Sequence, residues 1–322
     1  MAFATTDIKF YRAATVTDTD ANGGAIGTVQ IVTGIANNLF PNVSNTERVA
    51  GLTRYRKFYV RNVNTAGLTL YNGLLYISTP SSAADYFRLK SGTDSDIQSA
   101  ADDYTAWKGT GALETSVSAG ATEIVVTYDA ATGVADGDTL VLSDGSNTET
   151  ATVSGAPAWD GNDATITLAA GLANAYDAAT PTYVASAVEL PDLTPAQSAW
   201  TETSSAGTYD ETTYPLTLYN AGTVTDTWTI TFTSATAFTV AGALTGSLGT
   251  GATSVDFKPA NGASYYFELD KDGWGGTWAI GDTVTFATTH AGQAVWAKEV
   301  VPAGIAAYSN NTVTLTWQGD AA

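Results

Sequence analysis

The sequence predicts an all-β protein: a β-sandwich core domain, jelly-roll-like, carrying inserted small β-barrel or β-sandwich modules. Three observations predict it. In TVTDTWTITFTSATAFTV, Trp228, Ile230 and Phe232 alternate with Thr227, Thr229, Thr231 and Thr233, the period of two that marks a strand with one buried face. The composition is 44% hydrophobic and 11% aromatic but only 14% charged, so Thr, Ala, Gly and Ser take the place of charges, as turn-rich β-structure requires. Clusters of Gly, Asn and Asp separate the alternating runs and supply the turns. At 322 residues the chain is long enough for two or three domains with real cores.

Along the chain, MAFATTDIKFYRAATV opens without the apolar stretch of a secretory signal, and DTDANGG reads as a turn. RYRKFYVRN and GLTLYNGLLYIST are expected to pair as a hairpin across VNTAG. Strand grammar then recurs in TEIVVTY, DTLVLSD, DATITLAA, DTVTFATT and NTVTLTW. Only TPAQSAW (194–200) and part of SDIQSAADDYTAW suggest a helical turn. GATEIVV with VADGDTLVL (120–142) is echoed by GATSVDF with WAIGDTVTF (251–286), where each Gly-Asp-Thr launches a strand. The unequal spacing argues for shared turn chemistry rather than a strict repeat.

Charge divides the chain more sharply than any linker. Residues 1–90 hold nine Lys or Arg against five Asp or Glu, a balance of +4, which leaves −23 for the remainder of a chain of net charge −19. No Lys or Arg occurs from Gly109 to Phe257. The expected domains are therefore a discontinuous core from 1–108 plus 287–322, an inserted module at 109–190 and a second at 191–286. The C-terminal strands are expected to pair back with the first block, because unpaired sheet edges are a liability.

Several function classes are disfavoured. A pI near 4.1 argues against nucleic acid, whose phosphates need a basic face. The chain has no Cys and a single His, His290, which excludes a zinc site on ligand count and offers only one usual base for a Ser or Thr nucleophile, with no G-x-S-x-G elbow beside it. His290 reads as a satisfied loop residue. No run of 18 apolar residues marks a membrane span, and no cofactor loop is found. Asp18, Asp20, Asn22 and Gly23 occupy the first diagnostic places of a calcium loop, but Val29 stands where the closing carboxylate belongs. DKDG and DGND read as Asx turns. Thirty-two acids always contain a pair at glycosidase spacing, so that activity stays open. The Trp residues sit mostly in alternating runs, where core packing is the default over sugar stacking.

The basic block contains the candidate docking residues Arg48, Arg54, Arg56, Lys57 and Arg61, clustered at a strand entry. Alternation places Arg54 and Arg56 on one face and Lys57 and Arg61 on the other. The alternative is an internal ion-pair network, for instance Glu47 with Arg48 and Arg54.

The succession DTDANGG, NNLFPNVSNTERVAGLTRYRKFYVRN and VPAGIAAYSNNTVTLTWQGD resembles a group of tailed-bacteriophage virion structural proteins. The matching positions are Asn22 to Gly24, Asn37 to Pro41, Glu47 to Lys57 and Pro302 to Gly304, within roughly residues 10–80 and the last thirty. The resemblance implies a non-enzymatic virion component without cofactors or metals. The resemblance does not by itself separate a decoration protein from a neck or tail protein. The basic N-terminal segment, read as a dock with the acidic modules projecting outward, points to a capsid decoration (cement) protein on the head exterior, made in the bacterial cytoplasm. Its partners would be the major capsid protein or other virion subunits and copies of itself, a trimer among the options, with neither nucleic acid nor membrane. A neck or tail protein, or a receptor- or carbohydrate-binding tail module, is the alternative.

Overall fold

The structure, a computed structural model, describes residues 3–101 and 106–321. The chain is all-β and built from antiparallel sheets. The core domain uses β1 (Ile8–Thr15), β2 (Gly23–Ile31), α1 (Asn45–Ala50), β3 (Leu52–Asn62), β4 (Leu70–Thr79), β5 (Tyr86–Ser91), β6 (Val188–Leu190), β7 (Gly292–Val301) and β8 (Thr314–Ala321). One sheet runs β2-β1-β3-β7-β5 and the other β6-β4-β8. Between them Phe58 and Val60 of β3, Leu89 of β5 and Val295 of β7 pack against Leu75 and Ile77 of β4 and Val188 and Leu190 of β6. The N- and C-terminal parts of the chain thus share one core, and β3 and β7 pair along ten residues of each.

The expected hairpin across VNTAG does not form. β3 lies between β1 and β7, whereas β4 lies between β6 and β8 in the opposite sheet. The connection instead turns the sandwich corner on Asn62, fully buried, whose side-chain amide donates to Leu68 O (2.7 Å) and Leu193 O (2.8 Å). Two helix hints part ways: Gln98–Ala101 is a helical turn, with the rest of that stretch partly outside the described residues. TPAQSAW is not helical but opens the strand Ala196–Thr203, kinked at Ala199, where φ is 55° and the register shifts.

Residues 109–187 form a module whose sheet curls toward closure. Its strands surround Ile124, Val126, Leu140, Leu142, Ile166 and Val184, and Ser154 N donates to Thr167 O (2.9 Å) and Ala169 N to Thr152 O (2.8 Å) across the seam. Residues 196–289 form a five-stranded sheet over an aromatic core with Trp228, Phe232, Phe238, Phe267, Trp278 and Phe286. Val188–Leu190, allotted by sequence to the first module, is β6 of the core sandwich. The strand Thr283–Thr289 extends the second module past residue 287.

Candidate functional site

The residues that carry the resemblance meet at one end of the core domain. Ser44 caps α1: its Oγ accepts from Glu47 N (3.2 Å), while the Glu47 carboxylate accepts from Ser44 N (2.7 Å), a reciprocal capping box. These bonds, with Arg54 beside it, hold the Glu47 carboxyl below its ordinary range. The C-terminal loop docks on this helix. Gly304 N donates to Arg48 O (2.9 Å), and the Arg48 guanidinium donates to Ile305 O and to Asn45 Oδ1 (2.5 Å). Gly51 ends the helix at φ 81°, and a Cβ there would stand 3.1 Å from Ala303 N, so glycine is required on both counts.

The five candidate docking residues do not form an exposed patch. Arg54, Arg56 and Lys57 are 5%, 4% and 1% exposed. The Arg54 guanidinium contacts Glu47 (2.6 Å), Glu299 (3.2 Å) and Asp18 (3.7 Å) and donates to Pro41 O (3.3 Å). Arg56 pairs with Asp18 (2.6 Å) and donates to Thr17 O (3.0 Å). Lys57 faces the other way, among Gly24 O (2.8 Å), Thr93 O (2.5 Å) and the Asp96 carboxylate (2.5 Å). Arg61 ties the core to the second module through Ala221 O (3.1 Å) and Thr223 O (2.9 Å). Arg48 is half-buried against the C-terminal loop. The reason is the position of β3: a central strand, with a neighbour on each edge and a layer over each face, turns even its charged side chains inward. These cations therefore build the molecule rather than present a docking face.

Burial has its electrostatic signature. Desolvation pushes the Lys57 ammonium below its ordinary value, against the pull of Asp96 and Asp94, and lowers Arg61 as well. Glu299 is pushed up to about 7, first by burial, with Arg54 opposing and Asp85 adding to the rise. Glu299 was the sequence signal for this network: a lone carboxylate in the apolar run AVWAKEVV needs a buried cation opposite it.

The incomplete calcium loop is committed elsewhere. Asp18 is held by Arg56 and Arg54, and the Asn22 amide donates to Tyr55 O (2.9 Å) and Gln98 Oε1 (3.1 Å). Among the described residues no three His, Asp or Glu side chains gather to hold a metal, and no helix is long and apolar enough to cross a membrane. His290, 5% exposed, meets Asp94 Oδ1 at 3.2 Å and lies edge-on to the Tyr59 ring. Thr225 donates to the other Asp94 oxygen (2.9 Å), so this cluster fastens the second module to the core.

Beside the exposed carboxylates of Asp18 and Asp20, the same end exposes an uncharged surface. Val49 on α1 is 59% exposed and Tyr308 in the C-terminal loop 58%, with Pro302, Ala303, Ala306 and Ala307 exposed between them. This end lies at the Leu52 and Val301 termini of β3 and β7. The second module leaves from the opposite ends, near Arg61 and Gly292.

Compared with known protein families, curated proteins and solved structures, the chain matches none.

Proposed function

We propose that the chain is a non-enzymatic structural subunit of a tailed-phage particle, in the form of a decoration protein seated on the outside of the head. The observation that carries this reading is convergence. Three segments of the resemblance lie within residues 22–57 and the fourth, Pro302 to Gly304, near the other end of the chain, yet all are joined by the Asn22–Tyr55, Arg54–Pro41 and Arg48–Gly304 hydrogen bonds into one end of one domain. A shared base with different modules mounted on it fits a subunit whose attachment is common and whose outward parts vary. With the cations internal, attachment falls to the uncharged surface of Val49, Pro302 to Ala307 and Tyr308. The second module, which leaves from the opposite ends of β3 and β7, then projects away from the shell.

The test is quantitative mass spectrometry of purified particles, with occupancy measured for wild type and for Val49→Glu combined with Tyr308→Glu. A decoration role requires many copies per particle, attachment that persists as salt is raised, and a large loss of occupancy in the double variant at unchanged melting temperature. A handful of copies per particle moves the subunit to the neck or tail. Absence from the particle overturns the reading.

A further inference from the structure

Where the barrel module leans on the core sandwich, the outer face of β4 meets the module through Leu74, Tyr76, Val141, Ala185 and Ala187. This contact is not closed along its whole length. Beside it opens a cleft of about 320 Å3, bordered by Tyr76, Ser78, Ser143, Asp144, Pro181 and Tyr183, within the size range of small-ligand sites.

Two features distinguish the cleft from a packing gap. Tyr76 is 6% exposed, and among the described residues its hydroxyl has no hydrogen-bond partner, nor has that of Tyr183. Tyr59 gives its hydroxyl to Gly24 O (2.7 Å), whereas those of Tyr128 and Tyr176 are sealed without a partner among the described residues; that of Tyr76 differs from both in bordering the cleft. A nearly buried phenol that opens on a cleft is a donor held ready for something within it. The second feature is Asp144, whose Oδ1 accepts from Ser146 N (2.8 Å) and Asn147 N (2.6 Å). Those bonds fix the carboxylate at the rim, and Oδ2, which accepts one longer bond from Asn147 Nδ2 (3.3 Å), keeps a further lone pair for a ligand.

The lining selects a ligand class. It contains one carboxylate and no Lys, Arg or His, so phosphate, sulfate and carboxylate ligands find repulsion and no counter-charge. Two phenol rings, serine hydroxyls and a fixed acceptor suit a molecule with apolar C–H faces edged by hydroxyls. We propose that this cleft binds a short neutral saccharide, with the half-buried Tyr183 supplying a ring face, Tyr76 and Tyr183 supplying phenol donors, and Asp144 accepting from sugar hydroxyls. The inference does not depend on the virion reading, since any role for the chain accommodates it.

The experiment is saturation-transfer NMR and titration calorimetry on the full chain with maltose, cellobiose, lactose and N,N′-diacetylchitobiose. At least one sugar should bind weakly. Tyr183→Ala should abolish the signal, and Tyr76→Phe, which removes only the hydroxyl, should weaken binding by about tenfold, the scale of one good hydrogen bond. Tyr308→Ala, outside the lining of the cleft, should change nothing, and inorganic sulfate should not compete. Melting temperatures of all variants guard against unfolding. No binding by any of the four sugars, or binding that survives Tyr183→Ala combined with Tyr76→Phe, overturns the proposal.

Discussion

Lys57 keeps its entire side chain from solvent, with its ammonium 2.5 Å from an Asp96 carboxylate that also accepts from Trp296 Nε1 (2.9 Å). Removing one member of such a pair leaves the other charge buried without compensation, which costs about 3–5 kcal/mol. We therefore expect Lys57→Ala to destabilise by that amount in urea denaturation. Lys271→Ala, which breaks an exposed pair with Asp272, should be close to neutral, because solvent screens such a pair. Equal effects would mean that Lys57 faces water. Glu299 supplies a pH test. Its folded value of about 7 lies above the ordinary 4.5, so the folded state holds a proton that the unfolded chain releases. The stability this contributes is fully present below about pH 4.5 and is lost as pH rises through about 7, on the order of a few kcal/mol at 1.36 per unit. Asp94 and Asp96 act oppositely: burial works to raise both, but their hydrogen bonds to His290 and Lys57 prevail and depress them. Their contribution is lost as pH falls below the ordinary Asp range. Glu299→Gln, which stays neutral, should gain in melting temperature over wild type between about pH 5 and about pH 8. A constant difference across that range would show that Glu299 does not titrate there.

At the scale of elements, the two Gly-Asp-Thr turns that echo in the sequence are the same device. Ala135 N donates to Asp138 Oδ2 (2.7 Å) and Ala279 N to Asp282 Oδ2 (2.9 Å). Asp138 N returns to Ala135 O (3.2 Å) and Asp282 N to Ala279 O (3.1 Å). Gly137 and Gly281 hold φ of 83° and 92°, and a Cβ at either would meet nothing within 4 Å. Gly137→Ala and Gly281→Ala should each cost about 1–2 kcal/mol, from backbone conformation alone. Gly207→Ala should cost more for a different reason, since its Cβ would stand 2.2 Å from the Trp278 ring. If the three variants melt alike, conformation and overlap are not the separate causes claimed. These turns were legible because the turn chemistry is local. So were the alternating strands: Trp228, Ile230 and Phe232 are buried with threonines between them. Sheet membership was not legible, because β3 and β4 are neighbours in sequence while the buried Asn62 sends the chain to the opposite sheet. The strand Ala196–Thr203 read as helical because its bulge at Ala199 breaks the period of two. The cation cluster was misread as surface because its counter-charges Asp96 and Glu299 are about 40 and 240 residues away from β3.

Across the whole molecule, charge follows architecture. Residues 109–187 carry ten acids and no base, and 196–289 carry nine acids and two bases, so these two modules hold −17 of the −19. The sandwich that bears them is close to neutral, and its cations neutralise its own buried carboxylates. Both modules join the sandwich where the entering and leaving strands already touch. Gly109 N donates to Ser186 Oγ and Ser186 N to Gly109 O, both at 2.9 Å, and Ala196 is paired with Thr289. Each module has its own core, so each should fold alone. The decisive comparison is between two deletions. Removing 109–187 and 196–289 separately, with a short glycine-rich turn at each junction, keeps Val188, Leu190 and Leu193 in the sandwich and should leave a cooperatively melting, β-rich domain by circular dichroism. Removing 109–286 in one piece also strips out β6, uncovers the edge of β4 and takes those three buried side chains from the core. At about 2–5 kcal/mol for each large apolar side chain lost, the three together match the whole stability of an ordinary domain, so the one-piece deletion should be unfolded. If the one-piece deletion folds as well as the two-piece deletion, β6 is a passenger and the sandwich ends at residue 108 on that side. If neither folds while the isolated 109–187 fragment does, the sandwich depends on its contacts with the modules and is not an independent base for them.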